Sequence, residues 1–202
     1  MQLSSDVKRN GRGVLTVGLG AAAFAFGLGA TASAVTPAKT GTAGGYAWVV
    51  PGGWAEGAAR SMRVATYTVP ASAGAEAGEC AVFFFGGGDG GSVDANVERW
   101  SRQFEGSPKP ERSEKKVRGM NLTVVKIAGT YLAPGGPMMQ SQGKRPGYLL
   151  QGAIAQTSQG NLFFKLTGPA PTVTQAQADW QALLSSLGPA AGPPAPQRPP
   201  IK

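Results

Sequence analysis

The residues able to do chemistry in this chain are few. No histidine occurs among its 202 residues, and there is one cysteine, Cys80. The missing imidazole removes the commonest general base, the commonest zinc ligand and every Ser-His or Cys-His nucleophile pair. One thiol makes neither an internal disulfide nor a CxxC redox pair. Cys80 lies in the run Cys80-Ala81-Val82-Phe83-Phe84-Phe85, which predicts a small buried hydrophobe in place of a reactive thiol. Paired carboxylates are scarce: Glu76 and Glu79 share one loop, and Asp89 and Asp94 flank Ser92 without EF-hand spacing. Such a pair is better read as a helix cap at the surface than as a metal site, so no metal is expected.

One stretch imitates a cofactor motif. Gly86-x-Gly88-x-x-Gly91 follows a strand pattern and precedes a helix pattern, the spacing that lets backbone N–H groups approach a pyrophosphate. Five glycines in six residues satisfy many patterns, however, and Asp89 would repel phosphate. The fingerprint also requires a parallel βαβ unit, whereas a polar loop and a hairpin pattern follow here. The expectation is a tight structural turn and no cofactor. The remaining polar candidates are Arg63, Asn96, Arg99, Gln103 and Lys165, interleaved with the aromatic residues Tyr67, Trp100 and Phe163. These five side chains are the candidate contacts for an acidic or polar ligand. The competing reading makes them exposed edges and satisfied polar groups of an ordinary core.

The elements that must position them follow from periodicity. Tyr46–Val50 reads as a short strand stopped by Pro51-Gly52-Gly53. The stretch from Arg60 or Met62 to Val69 alternates, with Val64, Thr66 and Thr68 on one face and Arg63, Ala65, Tyr67 and Val69 on the other. Cys80–Phe85 is apolar on both faces, so it must be covered from both sides. Val93, Val97, Trp100 and Phe104 form one stripe of an amphipathic helix over 93–104, with Ser92 as N-cap and Asp94 in the first turn.

Residues 107–116 read as a mixed-charge loop, and Val117 with Leu122–Thr130 as a hairpin turning at Gly119-Met120-Asn121. Leu132–Gly147 is a long Gly-, Pro- and Met-rich connection, either mobile or functional. Tyr148–Gln156 and Leu162–Leu166 form a second hairpin, and a helix over 174–187 closes the domain, with Thr172 and Gln175 as a capping box. Hairpins dominate. The predicted fold is α+β: a mostly antiparallel sheet of about six strands with two packed helices.

Met62-Arg63-Val64-Ala65-Thr66-Tyr67, then Asn96-Val97-Glu98-Arg99-Trp100 with Gln103-Phe104, then Leu162-Phe163-Phe164-Lys165-Leu166-Thr167-Gly168-Pro169 appear in this order of elements. In that order the chain resembles the PsbP-type fold. This fold is shared by extrinsic proteins of photosystem II, a nuclear-transport Ran-binding family and uncharacterised exported bacterial proteins. The resemblance spans 46–187 and implies an α/β sandwich that binds something and is not an enzyme. It carries over no functional residue, because these families share no active site.

The N-terminus reads as an address. Lys8, Arg9 and Arg12 precede an uncharged, largely apolar stretch from Gly13 to Ala30, which exits through Ala32-Ser33-Ala34. This is the pattern of a bacterial signal peptide over 1–34, cleaved after Ala34, and it predicts a periplasmic or extracellular protein with no remaining membrane span. The alternative is an uncleaved N-terminal anchor. A flexible lead-in over 35–45, a single domain over 46–187 and a disordered Pro-rich tail over 188–202 complete the expected organisation.

The formal charge of +8 becomes +6 once 1–34 is removed, leaving sixteen Lys/Arg against ten Asp/Glu. That excess suits an acidic partner or a solvated surface. No nucleic-acid motif is present, and none is expected to bind. The function expected is a non-enzymatic exported domain that binds a protein, an envelope component or a small ligand. The alternative is an exported enzyme with a site near Arg63, Asn96 and Lys165.

Overall fold

A computed structural model of the chain describes residues 38–87, 90–133 and 143–192. The signal and anchor readings, Gly88 and Asp89, and most of the Leu132–Gly147 connection and of the Pro-rich tail lie outside the described residues. Ten strands and three helices follow in chain order: β1 (Thr40–Ala43), β2 (Tyr46–Val49), β3 (Ala55–Glu56), β4 (Ala65–Val69), β5 (Gly78–Gly86), α1 (Val93–Ser101), β6 (Glu111–Val117), β7 (Met120–Leu132), β8 (Lys144–Thr157), β9 (Gly160–Pro169), α2 (Ala170–Gln175), α3 (Gln177–Ser186) and β10 (Gly188–Pro189). The class is α+β. A seven-stranded antiparallel sheet runs β3-β4-β5-β9-β8-β7-β6, and a smaller sheet runs β1-β2-β10.

β5 explains the layering. Its register against β9 sets Cys80 opposite Leu166 and Val82 opposite Phe164, while Ala81 faces Lys165 and Phe83 faces Phe163. Alternation therefore sends one set to each side of the sheet. Cys80, Val82, Phe164 and Leu166 join Trp48, Val173, Trp180 and Leu183 in one core, under the small sheet and the last two helices. Phe83, Phe85 and Phe163 join Val97, Trp100, Phe104 and Ile154 in the other, under α1. The double cover inferred from an apolar strand is thus supplied by different elements on the two faces.

Several expectations need correction. Residues 40–43, placed in a flexible lead-in, form β1, which pairs with β2 through a turn at Gly44 and Gly45 (φ 57° and 78°). Both positions need the left-handed region that glycine tolerates. Residues 111–116, read as loop, belong to the edge strand β6, charged on both faces because both are exposed. Edge strands carry such charges to block further pairing. The strand expected from Met62 begins at Ala65, after Met62 at φ 66° breaks the alternation.

The first hairpin turns one residue early, at Arg118 and Gly119. The helix expected over 93–104 ends at Ser101, and Phe104 stays buried beyond it. The last helix begins at Ala170 and breaks at Ala176, with no side-chain cap on either part. Thr172 instead donates to Glu76 O and accepts from Ser72 N. The tail expected from Gly188 opens with β10, whose Gly188 and Pro189 pair with Ala47 and Tyr46.

Candidate functional site

α1 covers only part of its face of the large sheet. Beyond its end, Glu79, Ala81 and Phe83 of β5 and Lys165 and Thr167 of β9 floor an open cleft of about 450 Å³. Lys165 stands on this floor because residues of one parity on β9 alternate to the α1 side, and its neighbours Phe163 and Thr167 share that side. The segment before β4 folds over one rim. There Arg63 reaches Glu79 at 2.9 Å and the Thr66 hydroxyl at 3.4 Å, and its guanidinium lies 5.8 Å from the centre of the Phe83 ring. Alternation had placed Arg63 on the Tyr67 face; the turn at Met62 brings it to the opposite one.

The other rim is aromatic. The Tyr131 and Tyr148 rings stack with centroids 5.8 Å apart and an interplanar angle of 2°. Lys165 Nζ sits 5.3 Å from the centre of the Tyr131 ring, and Arg145 sits 5.9 Å from that of Tyr148. Each cation lies at the hydroxyl end of its ring and donates to that hydroxyl. Arg145 donates to Glu76 at 2.9 Å and to the Tyr148 hydroxyl at 3.1 Å, and that hydroxyl donates to Glu76 at 3.0 Å.

Lys165 holds the centre. It donates to Gln103 Oε1 at 2.6 Å and to the Tyr131 hydroxyl at 3.1 Å. Burial lowers its pKa to about 8; the Arg63 cation acts in the same direction, and Glu79 opposes. Burial also raises the Tyr131 hydroxyl to about 12, so that group is a neutral hydrogen-bond partner over the ordinary pH range. Cys80, on the other face and fully buried, has its thiol pushed up by burial and is inert as a nucleophile.

The five residues singled out by sequence divide. Arg63 and Lys165 line the cleft, and Gln103 positions Lys165 from the turn after α1. Asn96 does not reach it. Its buried amide donates to Gly90 O at 2.7 Å and Ser92 O at 2.9 Å, tying the glycine turn to the start of α1. Arg99 donates to Asn96 Oδ1 at 3.2 Å and so braces the same turn.

Glu76, Glu79, Tyr131, Arg145 and Tyr148 were missed. The sequence signals were that Glu76 and Glu79 lie close together, that Arg145 falls in the long connection and that Tyr131 and Tyr148 bracket it. Ser113 and Lys116 have Ser-x-x-Lys spacing but lie on the exposed strand β6, where positions three apart project to opposite faces. Among the described residues no His/Cys/Asp/Glu group could hold a metal, and no helix is long and apolar enough to cross a membrane.

No family model matches the sequence, and no curated protein matches it. Among solved structures the chain is similar to the cyanobacterial PsbP protein CyanoP from Synechocystis, at 10% identity and TM-score 0.48, over 77% of this chain and 95% of that one. It is also similar to a protein of unknown function from Pseudomonas aeruginosa, at 12% identity and TM-score 0.45, over 77% of this chain and 99% of that one. The likeness is one of fold and gives no role to any cleft residue.

Proposed function

We propose that the chain is an exported binding domain that takes a small ligand in the cleft between the Arg63–Glu79 rim and the Tyr131–Tyr148 stack. The observation that carries this reading is the convergence of Arg63, Lys165, Arg145 and the stacked tyrosines on a cavity of about 450 Å³. That volume suits a small molecule, and a few polar groups set into an apolar and aromatic lining are the usual anatomy of such sites. Export rests on the basic, apolar and Ala-x-Ala succession of residues 8–34.

Both parts are testable. Native mass spectrometry of the full chain against a small-molecule extract of its growth medium is expected to reveal a bound species. Exposed Thr68 lines the cleft, so Thr68→Trp plugs it without disturbing the core and is expected to abolish that binding. Retention of the ligand by Thr68→Trp contradicts the assignment. Mass spectrometry of the extracytoplasmic fraction is expected to find a mature N-terminus at Val35; a chain intact from Met1 in the cytosol contradicts export.

One observation favours a second reading, an exported enzyme: an amine with a pKa lowered to about 8 is neutral, and so able to act as base or nucleophile, in a far larger fraction near neutral pH than an ordinary lysine. That reading requires a turnover that Lys165→Arg eliminates.

A further inference from the structure

The rim ion pairs leave one cation of the cleft without a carboxylate. Glu79 is engaged by Arg63 at 2.9 Å and by Arg60 at 3.6 Å, and Glu76 by Arg145 at 2.9 Å. Lys165 forms no ion pair among the described residues. Both groups that accept from it, Gln103 Oε1 and the Tyr131 hydroxyl, are neutral. An ammonium carries three donors, so one remains beyond these two.

A charge withdrawn from water without a counter-ion is costly, and the lowered proton affinity of Lys165 is the same cost seen from another side. Two places along β9, the buried Thr167 hydroxyl has no hydrogen-bond partner among the described residues. The lining as a whole is cationic, with Arg60, Arg63, Arg145 and Lys165 against Glu76 and Glu79.

A cationic ligand is disfavoured by the same geometry. Both carboxylates are held by arginines, and four cations already line the cleft. The partly exposed rings of Phe83 and Tyr148 line the same cleft and offer apolar surface.

We propose that the cleft binds an organic anion, its carboxylate or phosphate head on Lys165 Nζ and its apolar body against Phe83 or Tyr148. This assignment rests on the cleft being the binding site proposed above. It adds the counter-ion that the rim pairs withhold, and a charge-assisted hydrogen bond of this kind is among the stronger contacts available in a half-buried site.

The test uses the full chain and three fragments of matched shape: benzoate, phenyl phosphate and benzamide. Backbone amide shifts are followed by NMR. At least one of the two acids is expected to bind at least tenfold more tightly than neutral benzamide, with shifts at Ala81, Lys165 and Thr167. The tighter acid tells carboxylate from phosphate. Lys165→Met is expected to weaken that acid at least tenfold and to leave benzamide unchanged.

Benzamide binding as tightly as both acids, with shifts at the same amides, overturns the anion assignment while leaving the cleft as a binding site. Acids that shift amides elsewhere, or no acid binding at all, overturn it too, while the extract experiment with Thr68→Trp judges the broader reading separately. The wild-type shifts locate the site whether or not the variant folds, and Lys165→Gln, which keeps a polar group there, repeats the comparison.

Discussion

Lys165 and Asn96 read alike in the sequence, each a polar residue set among aromatics, and they turn out to do opposite things. Asn96 spends its amide on the Gly90 and Ser92 carbonyls and is a structural tie. Lys165 stands on the part of the α1 face that the helix leaves open, and its charge is incompletely answered. The difference lies in which neighbours arrive from elsewhere in the chain, and a linear pattern does not record that. The Glu76–Arg145 and Glu76–Tyr148 contacts join residues 69 and 72 positions apart, so that rim was illegible, while Arg63 and Lys165 were legible as basic residues interleaved with aromatic ones.

A pH prediction belongs to this scale. The folded chain releases the Lys165 proton near pH 8, below the ordinary value of 10.5. Between those values the unfolded chain binds more protons, so the stability owed to this lysine rises with pH over that window. Cys80, Tyr67 and Tyr131 act in the opposite sense at higher pH, because their raised pKa values keep protons on the folded chain that the unfolded chain loses. The groups facing Lys165 are Tyr131 on β7, Arg63 before β4, Glu79 on β5 and Gln103 after α1. Denaturant titrations of wild type and Lys165→Met compare the two chains. Their stability difference is expected to move in favour of wild type from pH 8 to pH 10; a constant difference contradicts the buried, cationic lysine.

Elements were legible where a pattern answered to burial. β5, α1 and the β8–β9 hairpin stand where their apolar residues demanded. β6 was hidden because, as an exposed edge, it has no apolar face to show. β1 was hidden by its small residues, although the Gly44-Gly45 pair before Tyr46 was a usable hairpin signal. The fit of α1 to the sheet depends on a residue no pattern marked. Gly152 of β8 lies beneath the Trp100 indole, and a methyl group there would collide with Trp100 Cζ3. Gly152→Ala is therefore expected to cost about 1–3 kcal/mol through overpacking. Chemical denaturation with near-UV circular dichroism of the tryptophans checks this; an unchanged midpoint and spectrum would show that α1 shifts freely on the sheet.

The described domain is a sheet covered on one face by a helix and on the other by helices and a second small sheet. That second sheet gathers both ends of the domain onto β2, with β1 on one side and β10 on the other. Ala190 N adds a bond to Gly45 O at 2.9 Å. A chain ending at Leu187 is expected to be less stable than one ending at Gly192, by on the order of 1 kcal/mol for each backbone bond lost. Thermal melts of the two chains measure it, and equal melting temperatures would mean that β10 contributes nothing.

The position of β10 also sets an order in time. A chain delivered N-terminus first, from a ribosome or through a channel, presents β2 early and must wait for the far end of the domain before that strand gains its second neighbour. Until then β2 keeps one edge open. The last pairing of the small sheet therefore waits on the arrival of Gly188 and Pro189.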